Sequence, residues 1–151
     1  MSRNSFGVEL SIDAPPEKVF ALLCDVERWP EWTPTMISVR RLDHGAFRVG
    51  SSARIQQPKL RPTVWKVTEL EDKSHFTWVA SAPGLRMEAR HVVKPAGAGT
   101  HLELTLEISG FMASLVSRLY GGLMRDYVST ESQKLKARSE SGADVAIPRP
   151  T

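Results

Sequence analysis

The chain has 151 residues, of which 41% are hydrophobic and 25% charged, with 20 basic and 17 acidic side chains giving a formal charge of +3. That length is one ordinary domain, the composition excludes a disordered or fibrous chain, and the longest apolar run, Val19 to Cys24, is far short of the roughly 18 residues a membrane-spanning helix needs. The basic excess is small and scattered over Arg40-Arg41, Lys59 with Arg61, and Lys134, Lys136 and Arg138, so no continuous basic face is expected and no nucleic-acid partner follows from it. Phe6 to Asp13 alternates apolar and polar residues, the period of a half-buried strand. Ala14-Pro15-Pro16-Glu17 ends that strand and opens a helix to about Cys24, because proline suits a first helical turn and Glu17 suits the positive end of the dipole. Pro30 and Pro34 limit the next stretch, residues 25–34, to a short broken helix. From Met36 to Ser109 strands are expected at about 36–43, 50–57, 63–71, 74–82, 85–94 and 101–109. The separators are turn residues: Asp43-His44-Gly45, Pro58 to Pro62, Glu71-Asp72-Lys73, Ala82-Pro83-Gly84 and Pro95 to Gly99. Such short connections make neighbouring strands antiparallel. After Gly110 the period becomes 3.6, with Met112, Leu115, Val116, Leu119, Leu123 and Tyr127 on one face of a helix over residues 111–138. Residues 1–140 thus read as one domain and 141–151 as a disordered tail.

The fold class expected from this order is α+β: a seven-stranded antiparallel sheet wrapped around a long C-terminal helix, with two short helices after the first strand, a helix-grip arrangement. Ile12 to Asp25, Trp29-Pro30-Glu31-Trp32, Val49-Gly50-Ser51 and Trp65-Lys66-Val67-Thr68-Glu69-Leu70 resemble the polyketide cyclase/dehydrase branch of the START-like (SRPBCC, Bet v 1-like) superfamily. The resemblance runs from about residue 6 to residue 138. It implies a cavity for a small hydrophobic molecule such as a lipid, polyketide or quinone-like compound. A twisted sheet that one helix cannot fill leads to the same expectation of an internal pocket.

Strand alternation assigns the pocket residues. In the last strand Leu102, Leu104, Leu106 and Ile108 share one side, and His101, Glu103, Thr105 and Glu107 the other. On the inward side of the remaining strands fall Val39, Ile55, Gln57, Trp65 and Val67, then Phe76, Trp78, Met87, Ala89 and His91. Leu104 and Leu106 complete the sheet's contribution to the expected pocket, and Met112, Leu115, Leu119, Leu123 and Tyr127 are the helix's. These side chains either fill a core or line a pocket, and Gln57 and His91 are the polar exceptions. Trp32 either plugs the core beside the broken helix or stands at the pocket entrance. Gly121-Gly122 is costly inside a helix and points either to close packing on the sheet or to a bend.

His91 is the candidate catalytic residue, because imidazole titrates near neutral pH. A structural or ligand-orienting role is the favoured one, since its neighbours Glu88 and Arg90 alternate to the outer face and leave no second group to orient the imidazole. Cys24, the single cysteine, sits among Leu22, Leu23 and Val26 as a small core residue. His44, His75, His91 and His101 have no HExxH spacing and no paired cysteines, so no metal is expected. There is no GxGxxG after a strand, no GxxxxGK[ST] and no GxSxG elbow, so no nucleotide cofactor is expected either. The N-terminus has no apolar core of a secretory signal, which leads to the expectation of a cytoplasmic protein. Three functions remain: a binder or carrier of a hydrophobic or aromatic ligand; an aromatase/cyclase or dehydratase using His91 with Tyr127 or Gln57; and an interaction domain with a vestigial cavity, which would display an exposed apolar patch instead.

Overall fold

The structure is a computed structural model that describes residues 3–141. β1 (Arg3–Ile12) is followed by α1 (Pro16–Cys24) and a single 3-10 stretch, Val26–Glu31. Then come β2 (Ser38–Arg41), β3 (Ser52–Gln56), β4 (Thr63–Glu71), β5 (His75–Ala82), β6 (Leu85–Ala96) and β7 (Gly99–Ser109), and α2 (Ala113–Glu140) closes the chain. All seven strands form one antiparallel sheet in the order β1-β7-β6-β5-β4-β3-β2. The expected helix-grip architecture is the observed one. No described helix is long and apolar enough to cross a membrane.

Local chemistry sets the boundaries. Pro16 stands at the start of α1 with Glu17 in its first turn. Pro30 lies inside the 3-10 stretch, where its missing N–H breaks no α-helical ladder. β2 and β3 are shorter than the alternation suggested because Asp43 draws the chain between them into a loop. Its carboxylate accepts from the Ser52 N–H at 3.0 Å, from Ser51 Oγ at 2.9 Å and from Arg41 Nη2 at 2.8 Å. β6 and β7 run longer than expected and meet in a tight hairpin in which Ala96 pairs with Gly99. A bulge between Val67 and Glu69 resets the alternation of β4, so that Leu70 joins Trp65 and Val67 against the core.

At 28 residues, α2 is on the order of 40 Å long. It begins where Gly110 passes the β5–β6 turn. Gly110 and Gly84 both have positive φ, and a Cβ on Gly110 would strike the Gly84 carbonyl. α2 also continues through Ser139 and Glu140, past the helix end expected at residue 138; Glu140 accepts from the Asp13 N–H at 2.7 Å and pairs with Lys136. Residues 142–151, the rest of the expected tail, lie outside the described residues.

The face of α2 that packs on the sheet differs from the expected one. Its buried residues are Ala113, Gly121, Met124, Ser132, Leu135 and Ser139, while Leu115 is 47% and Leu119 66% exposed. The small residues of this stripe let the helix settle on β1 and β7, with Gly121 over the ring of Phe6. The bulkier row Met112, Leu115 and Leu119 is rotated away. The close-packing reading of the glycine pair therefore applies to Gly121; nothing within 4 Å of a Cβ at Gly122 explains that residue.

Candidate functional site

A cavity of about 680 Å³ lies between the concave face of the sheet and α2. Its floor is apolar and aromatic: Ile55, Trp65, Trp78, Ala80, Met87, Ala89, Leu104 and Leu106, with Trp29 and Met36 at the side of the 3-10 stretch. α2 roofs it with Val116, Met124, Tyr127, Val128 and Glu131. The rim is the β3–β4 connection, where Lys59, Arg61 and Pro62 are found, together with the β5–β6 hairpin. Tyr127 ties roof to rim by donating its hydroxyl to the Pro58 carbonyl, and burial raises its pKa.

Aromatic edges interlock beneath the cavity. Trp78 meets Trp29 at 5.4 Å, Phe76 at 5.3 Å and Trp65 at 6.0 Å between ring centroids, mostly edge to face. His91 is fully enclosed at the edge of this group, 4% exposed, with its ring stacked 4.1 Å from that of Phe76. A carbonyl can only accept, so Nδ1 carries the proton that bridges the 3.2 Å to the Phe76 carbonyl, and Nε2 keeps a lone pair. Burial lowers the pKa of His91 from 6.5 to about 4, against the weaker opposing pull of that hydrogen bond. The imidazole is neutral at neutral pH.

The residue that sequence reasoning missed is Glu131. Its carboxylate oxygen accepts from Thr35 Oγ1 at 3.4 Å, and Thr35 lies 2.9 Å from the hydroxyl of Thr33, both threonines being buried. Burial pushes the Glu131 pKa from 4.5 up to about 8, with the Thr35 hydrogen bond acting the other way. A signal for it was present. Met124, Val128, Glu131 and Leu135 keep one helical stripe, so a carboxylate on the inner side of α2 is legible once that stripe is taken as the inward one.

Of the side chains expected at the pocket, Ile55, Gln57, Trp65, Trp78, Met87, Ala89, His91, Leu104, Leu106 and Tyr127 line it. Trp32, Val39, Val67 and Phe76 do not: they are buried in the core, because the rings and loops above them fill that end of the sheet. Trp32 is thus the plug, and Trp29 takes the place by the cavity. Met112, Leu115, Leu119 and Leu123 also fall outside it, owing to the rotation of α2 described above. Cys24 packs against the core, and its thiol is pushed up to about 12 by burial and then by Asp72 and Asp25, the opposite of an activated nucleophile. Among the described residues one group has metal-ligand spacing, Glu9, His101 and Glu103. It sits away from the cavity, and its members already pair: His101 Nε2 with Glu9 at 2.9 Å and Lys94 with Glu103 at 2.9 Å.

The sequence model of the polyketide cyclase/dehydrase and lipid transport family matches residues 4–140. The chain belongs to that family. Within it, this member is a ligand-binding helix-grip domain. No curated protein sequence matches the chain. Among solved structures it resembles TTHA0849 from Thermus thermophilus, at 22% identity and a TM-score of 0.74, over 93% of this chain and 100% of that one. Ara h 8.0201 superposes with a TM-score of 0.70 at 13% identity, over 91% of this chain and 98% of the other. The di-domain ARO/CYC StfQ from the steffimycin biosynthetic pathway gives 0.76 at 11% identity, over 91% of this chain and 51% of StfQ. These likenesses are of fold, and a fold hosts many functions.

Proposed function

We propose that this family member binds a small hydrophobic or aromatic molecule in the cavity beneath α2, as a carrier or sequestering protein. The observation that carries this reading is the cavity itself: about 680 Å³, walled mainly by tryptophan, methionine and aliphatic side chains, with Gln57, His91, Tyr127 and Glu131 set among them and charged side chains on its border, the composition of a small-molecule site. A space of that size also weighs against a vestigial cavity.

A hydrophobic fluorescent probe such as anilinonaphthalene sulfonate should bind at one saturable site. Met87→Arg should abolish that binding while leaving the circular dichroism and cooperative melt intact, because Met87 is half-buried and lines the cavity. Trp78, only 2% exposed at the centre of the aromatic group, is a poorer position, since its loss would disturb the fold. A folded Met87→Arg protein that binds like the parent would remove the reading.

One observation favours a second reading, an enzyme of the cyclase or dehydratase type. His91 and Glu131 line the same cavity, one as a neutral base and the other as an acid holding its proton at neutral pH. For such an enzyme His91→Phe would lower turnover by about 10²- to 10⁴-fold with ligand affinity little changed. For a binder the same change would alter affinity by no more than about 0.5–1.5 kcal/mol.

A further inference from the structure

Glu131 is a carboxylic acid facing a largely apolar cavity, and among the described residues no cation pairs with it. The basic side chains on the cavity's border are Lys59, Arg61 and Arg90. All three are exposed, Arg90 is engaged by Glu88, and none forms a hydrogen bond or ion pair with Glu131. Its one partner among the described residues, the hydroxyl of Thr35, is a long 3.4 Å away and donates to it. Of the other polar groups that line the cavity, His91 Nδ1 has committed its proton to the Phe76 carbonyl and Tyr127 its own to the Pro58 carbonyl, and the half-buried Gln57 amide, which is the same in parent and variants, contributes equally to every arm of the test. A carboxyl in such surroundings keeps its proton, in line with its pKa of about 8, and a protonated carboxyl is a hydrogen-bond donor.

Resting on the ligand-binding reading above, we propose that Glu131 anchors the ligand by donating a hydrogen bond to a carbonyl oxygen, so that the ligand is a neutral, apolar carbonyl compound. Neutrality follows from the cost of burying a charge that no partner offsets. The acceptor follows from what Glu131 has to give. An ammonium compound fits less well. It would need open ring faces, yet Trp29 and Trp78 are 1% and 2% exposed and meet each other edge to face. It would also have to pass the positive rim of Lys59 and Arg61.

The test uses three naphthalenes of one shape: 2-acetylnaphthalene, which carries the carbonyl, 2-isopropylnaphthalene, which has no oxygen, and 1-(2-naphthyl)ethylamine, an ammonium ion at neutral pH. Their binding to the full chain is measured by calorimetry at pH about 6, below the value at which Glu131 ionises. The preference for the acetyl over the isopropyl compound should fall about threefold to tenfold in Glu131→Leu and persist in Glu131→Gln, whose amide still donates. At pH about 9 the parent should lose the same preference as Glu131 ionises, whereas Glu131→Gln should not. In that interval His91, at about 4, is already neutral, and burial holds Tyr127 above its ordinary value of 10. Lys59, Arg61 and the Thr35 hydroxyl are present unchanged in parent and variant alike.

A preference unaffected by Glu131→Leu and by pH overturns the proposal. So does an ammonium probe that binds tightest and weakens most in Glu131→Gln, which would mark a carboxylate for cations. If all three probes bind regardless of Glu131, the cavity reading survives and this one falls; if none binds, both fall. Should Glu131→Leu fail to fold, the pH arm on the parent and on Glu131→Gln decides alone.

Discussion

Two titratable groups, the buried His91 and the half-buried Glu131, pull the stability of this chain in opposite directions with pH. His91 falls from 6.5 to about 4 on folding, so on acidification the unfolded chain takes up a proton that the folded chain refuses. The stability of the neutral ring is complete above about pH 6.5 and is lost as pH falls toward 4. Glu131 rises from 4.5 to about 8. Between those values the unfolded chain has lost a proton that the folded chain keeps, so stability declines as pH rises and levels off above about 8. Denaturant titrations across this range should therefore show His91→Phe flattening the acid side. Glu131→Gln should flatten the alkaline decline and gain most over the parent at pH 8 and above. Profiles parallel to the parent's in both variants would mean that neither group is desolvated as described. Residue by residue, His91 was legible because strand alternation places it inward, whereas Glu131 was hidden by its charge, which assigns it to a solvent face until the rotation of α2 is known.

At the scale of the element, α2 shows how little a helical wheel says when two stripes compete. Leu115, Leu119 and Leu123 form the more hydrophobic row, yet the sheet takes Ala113, Gly121, Met124, Ser132 and Leu135. Small side chains allow closer approach to β1, and closer approach brings more backbone and side-chain atoms into dispersion contact. Leu135 is fully buried and Leu119 66% exposed. Leu135→Ala should then cost about 2–5 kcal/mol as a core truncation, and Leu119→Ala about 0.5 kcal/mol or less as a surface change. Urea unfolding of the two variants distinguishes the faces, and a larger loss at Leu119 would reverse the assignment. The strands were easier to place than the helix face. Their alternation is unambiguous along β7; it overestimated β2 and β3, where Asp43 draws the chain into a loop, did not foresee the bulge that resets β4, and ended β6 and β7 short of their tight hairpin.

For the whole molecule, the cavity is space that the fold leaves unpacked, and a ligand that fills it binds the folded chain alone. Such binding stabilises by mass action, about 2.7 kcal/mol when the free ligand is at a hundred times its dissociation constant. Any probe that saturates the site should raise the melting temperature in step with its concentration, and Met87→Arg should remove that dependence. A melting temperature indifferent to a probe that binds the parent would place the probe on the surface. What the sequence by itself determined is the order of elements, the antiparallel pairing and the apolar inner face, because period-two and period-3.6 patterns and turn residues act over a few neighbouring positions. The rotation of α2, the choice of Trp29 over Trp32 beside the cavity, and the placement of Glu131 on the cavity next to Thr35 were decided only in the tertiary structure. Each depends on which distant surfaces come close, residues 35 and 131 being 96 positions apart along the chain, and no local pattern carries that information.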